Sequence, residues 1–430
     1  MYPPAAWPLV VLAVALLSTT ALAAPRLVVT APPDGPGLAC CPVSVAVGPP
    51  EGAARVRLRD EDAAADVPAQ LERTADGVRL WWVVDRLAAG ATHTYQAEWM
   101  AATQETPPIV SCGDPQDGAL AVQVAGEPFT TYRYGAGEPR PYWFPLLTAG
   151  GIAVTRSYPM VPDVPGETRD HTWHRSLWFT HGLVKDAAHP QGVDFWTEGE
   201  QSGRIAHREF GAIEGGDVFG RVQCSSDWIA PDGRRVLSEE REVRVFSVPG
   251  ARLMDWTIVL RASEGPITLA DTKEAAFAVR VATTMDVAQE GGRTPERGGR
   301  MESATGGINE EQIWAQRADW CDYSGPVRGR TVGVALLDHP GNYNHPTFWF
   351  ARNYGLLAAN PFGAVGLGAA QAEDAGVSLP AGGVLTLRYL VYVHEGDAAA
   401  GRVAQVYAGW ADPPEVQVLP GDARPSVPEQ

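Results

Sequence analysis

Seven of the nine histidines fall between His171 and His345. The densest stretch is RDHTWHRSLWFTHG, Arg169 to Gly182. Imidazole exchanges protons near neutral pH and is a common metal ligand. A neighbouring carboxylate can orient it, arginine can neutralise a developing oxyanion, and tryptophan can stack on the C–H face of a sugar. An extended backbone would place His171, Trp173 and Arg175 on one face and Asp170, His174 and Ser176 on the other. One of the two leading histidines would then face any given pocket. The stretch has no HExxH and no His-x-His pair. The expectation is a substrate-facing strand edge and loop, with no metal centre and no cofactor.

Three further segments carry similar chemistry. GRIAHREFG offers His207 and Glu209 on one strand face, either as an acid/base pair or as a salt-bridged edge. ADTKEAAFAVRVA offers Lys273 and Glu274 on opposite faces, and Lys273 is one of only two lysines in the chain. HPGNYNHPTFWFARNYG offers His339, Asn342, Trp349, Arg352 and Tyr354. Polar, aromatic segments separated by plain strands are often loops that the fold gathers. All four are therefore expected to line one cleft. His171, His174, His207, Glu209, Lys273, Glu274 and His339 are its candidate catalytic groups. Trp173, Arg175, Asn342, Trp349, Arg352 and Tyr354 are its candidate substrate contacts.

The elements that would hold them read as strands. Gly 46 and Pro 36 in 430 residues imply many turns, and Trp 14 spread along the chain argues against disorder. Period-two alternation marks GALAVQVAGEPFTTYRYG, RRVLSEEREVRVFSV, ARLMDWTIVLRAS, TVGVALLDH and LTLRYLVYVHEG as strands. GDAAAGRVAQVYAGWADP is the clearest helix. No βαβ alternation suggests a nucleotide-binding fold. The net charge of −17 excludes nucleic acid as a natural partner. An apolar run from Leu9 to Leu17, followed by Ala21-Leu22-Ala23, reads as a secretory signal cleaved after Ala23. Localisation is then secreted or periplasmic, and no later stretch is apolar enough to span a membrane. The acidic Asp60–Asp62 reads as a solvated turn. Cys40, Cys41, Cys112, Cys224 and Cys321 lack CxxC spacing, and an odd count leaves at least one without an intrachain partner. The expected organisation is a signal peptide over 1–23, a small Ig-like β-sandwich over 24–108, a large β-domain over 109–415 and a disordered tail over 416–430. The oligomeric state is open.

The segments RPYWFPLLTAGGIAVTRSYPM, DHTWHRSLWFTHG, GRIAHREFG, DTKEAAFAVRVA and HPGNYNHPTFWFARNYGLLAANPFG resemble, in order, the bacterial PmoA-like domain of unknown function, sometimes labelled methane oxygenase. The resemblance runs from about 128 to 396. The chain departs from that pattern where Thr172 and Trp173 replace Pro and His, at Ala275, and at Asn344 and Phe350. A membrane-embedded methane oxygenase would need spanning helices, which this chain does not offer after its leader. By analogy the resemblance implies a large antiparallel supersandwich similar to galactose mutarotase, a class of sugar epimerases, lyases and glycosidases. The resulting expectation is an all-β, secreted carbohydrate-active protein acting on an acidic or modified sugar. Its alternatives are a non-catalytic glycan-binding protein and a metal-dependent oxygenase.

Overall fold

The computed structural model describes residues 25–101, 107–287 and 298–420. The expected leader, part of the linker and the last ten residues lie outside the described residues. The chain is all-β, and every strand pairing between named strands is antiparallel. Two eight-stranded sheets face each other in the large domain. The first runs in the order Phe348–Arg352, Leu356–Asn360, Ala275–Arg280, Leu177–His181, Tyr142–Trp143, Glu127–Arg133, Ala119–Val124 and Val110–Cys112. The second runs Arg204–Glu214, Phe219–Ile229, Arg235–Phe246, Arg252–Arg261, Val384–Glu395, Arg330–Asp338, Trp320–Val327 and Arg300–Ser303.

Alternation decides what each face buries. Leu177, Phe179, Phe277, Val279, Trp349 and Ala351 point from the first sheet into the shared core, where Trp256, Ile258, Leu336 and Tyr389 of the second sheet meet them. The first sheet is apolar on its other face too. Trp178, Ala278, Phe350, Leu356 and Ala358 form a second core with Trp196, Leu367 and Trp173, which long connecting segments lay over them. Strand Leu177–His181 is accordingly buried at every residue, the signature of a strand covered on both sides.

A smaller sandwich precedes this domain. Its sheets are Val416–Leu419, Arg26–Thr30, Thr92–Ala101, Ala53–Asp60 and Ala65–Val67 against Leu38–Val47, Gly77–Leu87 and Ala69–Thr74. The expected disordered tail is corrected at its start. Val416–Leu419 pairs with Arg26–Thr30, filling the open hydrogen bonds of what would otherwise be an edge strand. Helix Val403–Ala411 is wedged between the small sandwich and the outer face of the second sheet, burying Val403, Val406 and Trp410 against Leu390, Tyr392 and Cys40. Adjacent Cys40 and Cys41 serve different cores, Cys40 this junction and Cys41 the interior of the small sandwich. All five cysteines are free thiols. No helix among the described residues is long and apolar enough to cross a membrane.

One buried ion pair ties the second sheet together. His394 Nε2 lies 2.8 Å from Asp322 Oδ1, and both side chains are buried. Burial alone would lower the His394 pKa, but the Asp322 charge and hydrogen bond outweigh it and raise it above 6.5. Stability from this pair is complete below the unfolded value of 6.5 and is lost as pH rises through the folded pKa. The urea midpoint of the protein should therefore fall as pH is titrated upward from 6.5, and His394→Gln should flatten that dependence. An unchanged slope in the variant would assign the pH dependence to other groups.

Candidate functional site

The rim of the second core, at the end of strand Ala275–Arg280, gathers a connected polar cluster. Asp170 sits at its centre. Its Oδ1 accepts from Arg156 Nη1 and Arg280 Nη2, both at 3.0 Å. Its Oδ2 accepts from Arg280 Nη1 at 3.0 Å and from His171 Nδ1 at 2.5 Å. Arg156 and Arg280 are buried, whereas the side chains of Asp170 and His171 are 38% and 34% exposed. The cluster is thus rigid beneath and open above.

The sequence expectation of a strand through Arg169–Arg175 is corrected here. Regular strand begins only at Leu177. His171 has φ +47, and the His174 N–H donates to the His171 carbonyl at 3.1 Å. This turn brings together two rings that an extended chain would send to opposite faces. The imidazoles of His171 and His174 lie nearly parallel, 4.7 Å apart at 6°. Tyr354 is nearly parallel to His171 at 5.0 Å, and the Arg280 guanidinium lies 4.8 Å over the Tyr354 ring. Trp173 meets His171 edge-on at 5.4 Å. Gly355, which follows Tyr354, has φ +96, and a Cβ there would lie 2.7 Å from Asp286 Oδ1.

Electrostatics fix the protonation states. Burial favours the neutral acid at Asp170, but hydrogen bonds from Arg280 and His171 and the nearby Arg156 charge hold it well below the ordinary carboxylate range. Burial, with Arg280 beside it, keeps His174 well below 6.5 and therefore neutral. Its Nδ1 faces Arg280 Nη1 at 3.0 Å, and guanidinium only donates, so the His174 proton sits on Nε2. The His171 Nδ1–H donates a hydrogen bond to the Asp170 carboxylate, which fixes the ring and leaves it about one-third exposed, with Nε2 on its other side. Burial raises the Tyr354 pKa, so its phenol stays protonated. The arrangement offers one oriented base, one hydroxyl donor and an aromatic wall. Both Nδ1 atoms are engaged, so the histidine pair is not poised to ligate a metal through them. The set Asp60, Asp62 and His93 in the small sandwich has ligand atoms within 4.8 Å of one another. Its carboxylates already accept backbone N–H groups in a turn.

The four sequence segments do not converge. Lys273 and Glu274 precede strand Ala275–Arg280, and about 17 Å of strand separates Ala275 from Arg280 at ~3.3 Å per residue. Lys273 Nζ is exposed, 3.7 Å from its neighbour Glu274. His207 lies on the second sheet, packed on Tyr134 at 4.5 Å, and burial lowers its pKa to about 4. Glu209 is exposed and pairs with Arg208, a salt-bridged strand edge. His339 lies on the outer face of the second sheet beside Trp410 and Arg388. Asn342 is a clip that binds the Asp338 carboxylate and both backbone groups of Arg388. Trp349 is fully buried, with Nε1 donating to the Ala318 carbonyl at 3.0 Å. Arg352 pairs with Glu310 and packs over Trp314 at 4.1 Å. Arg175 is held by Glu198 through two bonds, at 2.8 and 2.9 Å, and by Glu138 at 3.0 Å. That guanidinium has no charge to spare for an anionic sugar. Of the expected residues, His171, Trp173, His174 and Tyr354 share one place.

Arg156 escaped the sequence reading altogether, and Arg280 was given no role. Arg280 did leave a signal, as a lone cation in the small apolar run AAFAVRV. A charge in a strand that is otherwise buried must be paired. Arg156 stands in an unremarkable loop and left none.

With the geometry in place, comparison with known proteins adds a family. A family of unknown function, DUF6807, matches residues 119–408. The chain belongs to this family. Its description carries no methane-oxygenase label. No curated protein matches. Two solved structures are similar at 10% identity and a TM-score of 0.40. One is an alpha-mannosidase from Enterococcus faecalis V583, covering 93% of this chain and 46% of its own. The other is a protein of glycosyl hydrolase family 38 from Enterococcus faecalis, covering 92% of this chain and 47% of its own. The chain spans less than half the length of either.

The Asp170 network generates a stability prediction. Asp170→Asn should destabilise the protein by roughly 2–3 kcal/mol, the low side of what breaking a buried pair costs, because Asp170 is itself partly exposed. Chemical denaturation reads this directly. A change below about 0.5 kcal/mol, the ordinary range for a surface substitution, would show that the two arginines do not depend on it.

Proposed function

We propose that the chain is an exported carbohydrate-active protein whose site is the rim formed by Asp170, His171, Trp173 and Tyr354. The observation that carries this reading is the Asp170–His171 pair: a carboxylate fixes one ring nitrogen and leaves the other on a half-exposed ring. In the proposed mechanism His171 Nε2 removes a proton from a sugar carbon next to a carbonyl. Tyr354 donates a hydrogen bond to the oxygen on which charge develops. Neutral His174, 1% exposed, is a positioning residue that fixes the plane of His171. Trp173 supplies an aromatic edge for the ring of the sugar.

Proton abstraction is favoured over hydrolysis. A glycosidase would need two carboxyl groups flanking the bond, and Asp170 already accepts four hydrogen bonds. A strongly acidic sugar is disfavoured, because Arg156, Arg175 and Arg280 are all paired with carboxylates. Epimerisation or elimination on a keto or otherwise carbonyl-activated sugar fits best. The second reading is glycan binding without turnover, favoured by the half-buried Trp173 at the rim.

Turnover on a panel of oligosaccharides and keto sugars tests the proposal. His171→Ala should lower the rate by roughly 10²- to 10⁴-fold, the usual contribution of a positioned acid/base group. Trp173→Ala should weaken ligand binding by ~1–3 kcal/mol with folding intact. Binding without turnover in the unmodified protein would establish the second reading instead. The exported protein should begin near Ala24, and a mass spectrum retaining Met1 would refute cleavage.

A further inference from the structure

The outer face of the second sheet carries a groove that the rim site does not use. Its floor is built from strand-to-strand rows. Ser225 pairs with Glu240, and Glu240 with Val259. One row on, Gln223 pairs with Glu242, Glu242 with Thr257, and Thr257 with Arg388. Two hollows lie over these rows, of about 370 Å³ and about 620 Å³. Both are lined by Glu242 and Thr257, so they adjoin at that row. The bulged edge strand closes one end at Arg208–Gly211, where extra residues break its register. Trp81 of the small sandwich and Trp410 of helix Val403–Ala411 close the other. The path crosses from strand Arg204–Glu214 to strand Val384–Glu395, four strand spacings or ~19 Å.

The charges of this groove are internally balanced. Arg244 bonds Glu242 at 2.7 Å and Glu72 at 2.9 Å. Arg388 bonds Asp255 at 3.1 Å. Arg208 pairs with Glu209 at 3.2 Å. Arg79, exposed and bonded to Ser44, offsets the exposed Glu240. Such a lining carries no net charge to attract either a polyanion or a polycation. It presents acceptors and donors at strand spacing, the chemistry that hydroxyl groups of a neutral sugar chain satisfy.

We propose that this groove binds a neutral oligosaccharide chain, as a second carbohydrate site on the opposite side of the sandwich from the His171 rim. It is independent of whether the rim catalyses. Thr257, one of the two residues that line both hollows, is half-buried on the groove floor, so a long side chain there obstructs both halves.

The test is affinity electrophoresis of the full chain in native gels containing soluble neutral polysaccharides (a β-glucan, a galactomannan and an arabinoxylan), with polygalacturonate as the anionic control. At least one neutral polymer should retard the protein and polygalacturonate should not. Thr257→Arg should weaken the retardation at least tenfold in apparent affinity, with an unchanged thermal midpoint reporting an intact fold. Glu240→Gln, a change on an exposed side chain, should weaken it less. His171→Ala should leave it unchanged, so a failure of the rim proposal does not touch this one. Retardation by polygalacturonate alone, no retardation by any neutral polymer, or full retardation of folded Thr257→Arg would each overturn the assignment. If Thr257→Arg does not fold, undiminished retardation of Glu240→Arg would overturn it equally.

Discussion

The Asp170 carboxylate is the knot on which the candidate site depends. Two buried guanidinium groups converge on it from different parts of the chain, Arg156 from the loop before it and Arg280 from the end of a central strand. Neither cation would be tolerated at that depth without a counter-charge. Burial and the adjacent Arg280 already depress the Arg156 pKa to about 10. The carboxylate therefore does two jobs. It joins the covering loop to the sheet, and it fixes one nitrogen of His171 while the ring remains accessible.

The same economy recurs around the second core of the first sheet. Buried Arg140 donates to the carbonyls of Trp173, Phe195 and Trp196, and to Glu198. Glu198 in turn grips Arg175, which lies 5.5 Å over the Tyr142 ring. These arginines satisfy loop carbonyls that no strand partner reaches. Long irregular segments can then lie flat on an apolar sheet face. The cost is that Arg140, Arg156, Arg175 and Arg280 are all engaged with carboxylates. That shifts the functional reading from acidic sugars towards carbonyl-activated or neutral ones.

The second sheet distributes its faces differently. Its inner face completes the main core, and part of its outer face is sealed by the helix and the small sandwich. The Val416–Leu419 strand closes the circuit by returning the chain end to the first strand of the small sandwich. Where that seal stops, polar rows remain open as a groove. The two proposed sites thus follow from one architectural fact: each large sheet has an outer face that is only partly covered.

The sequence by itself determined the all-β class, since turn-rich composition and period-two alternation depend on local chain geometry alone. It also marked Arg169–Gly182 as the stretch to watch, and Val403–Ala411 as a helix. It could not decide which residues meet. Alternation separated His171 from His174, yet a left-handed residue at His171 starts a turn that stacks them. Spacing grouped Lys273, His207 and His339 with that stretch, yet they occupy a different strand end and a different sheet. Arg175 and Trp349 have the residue types of ligand contacts, yet one is locked by two glutamates and the other fills the core. Residue type limits what a side chain can do. Whether it is free to do it depends on partners brought from far along the chain, as Arg280 is brought to Asp170 across 110 residues of sequence.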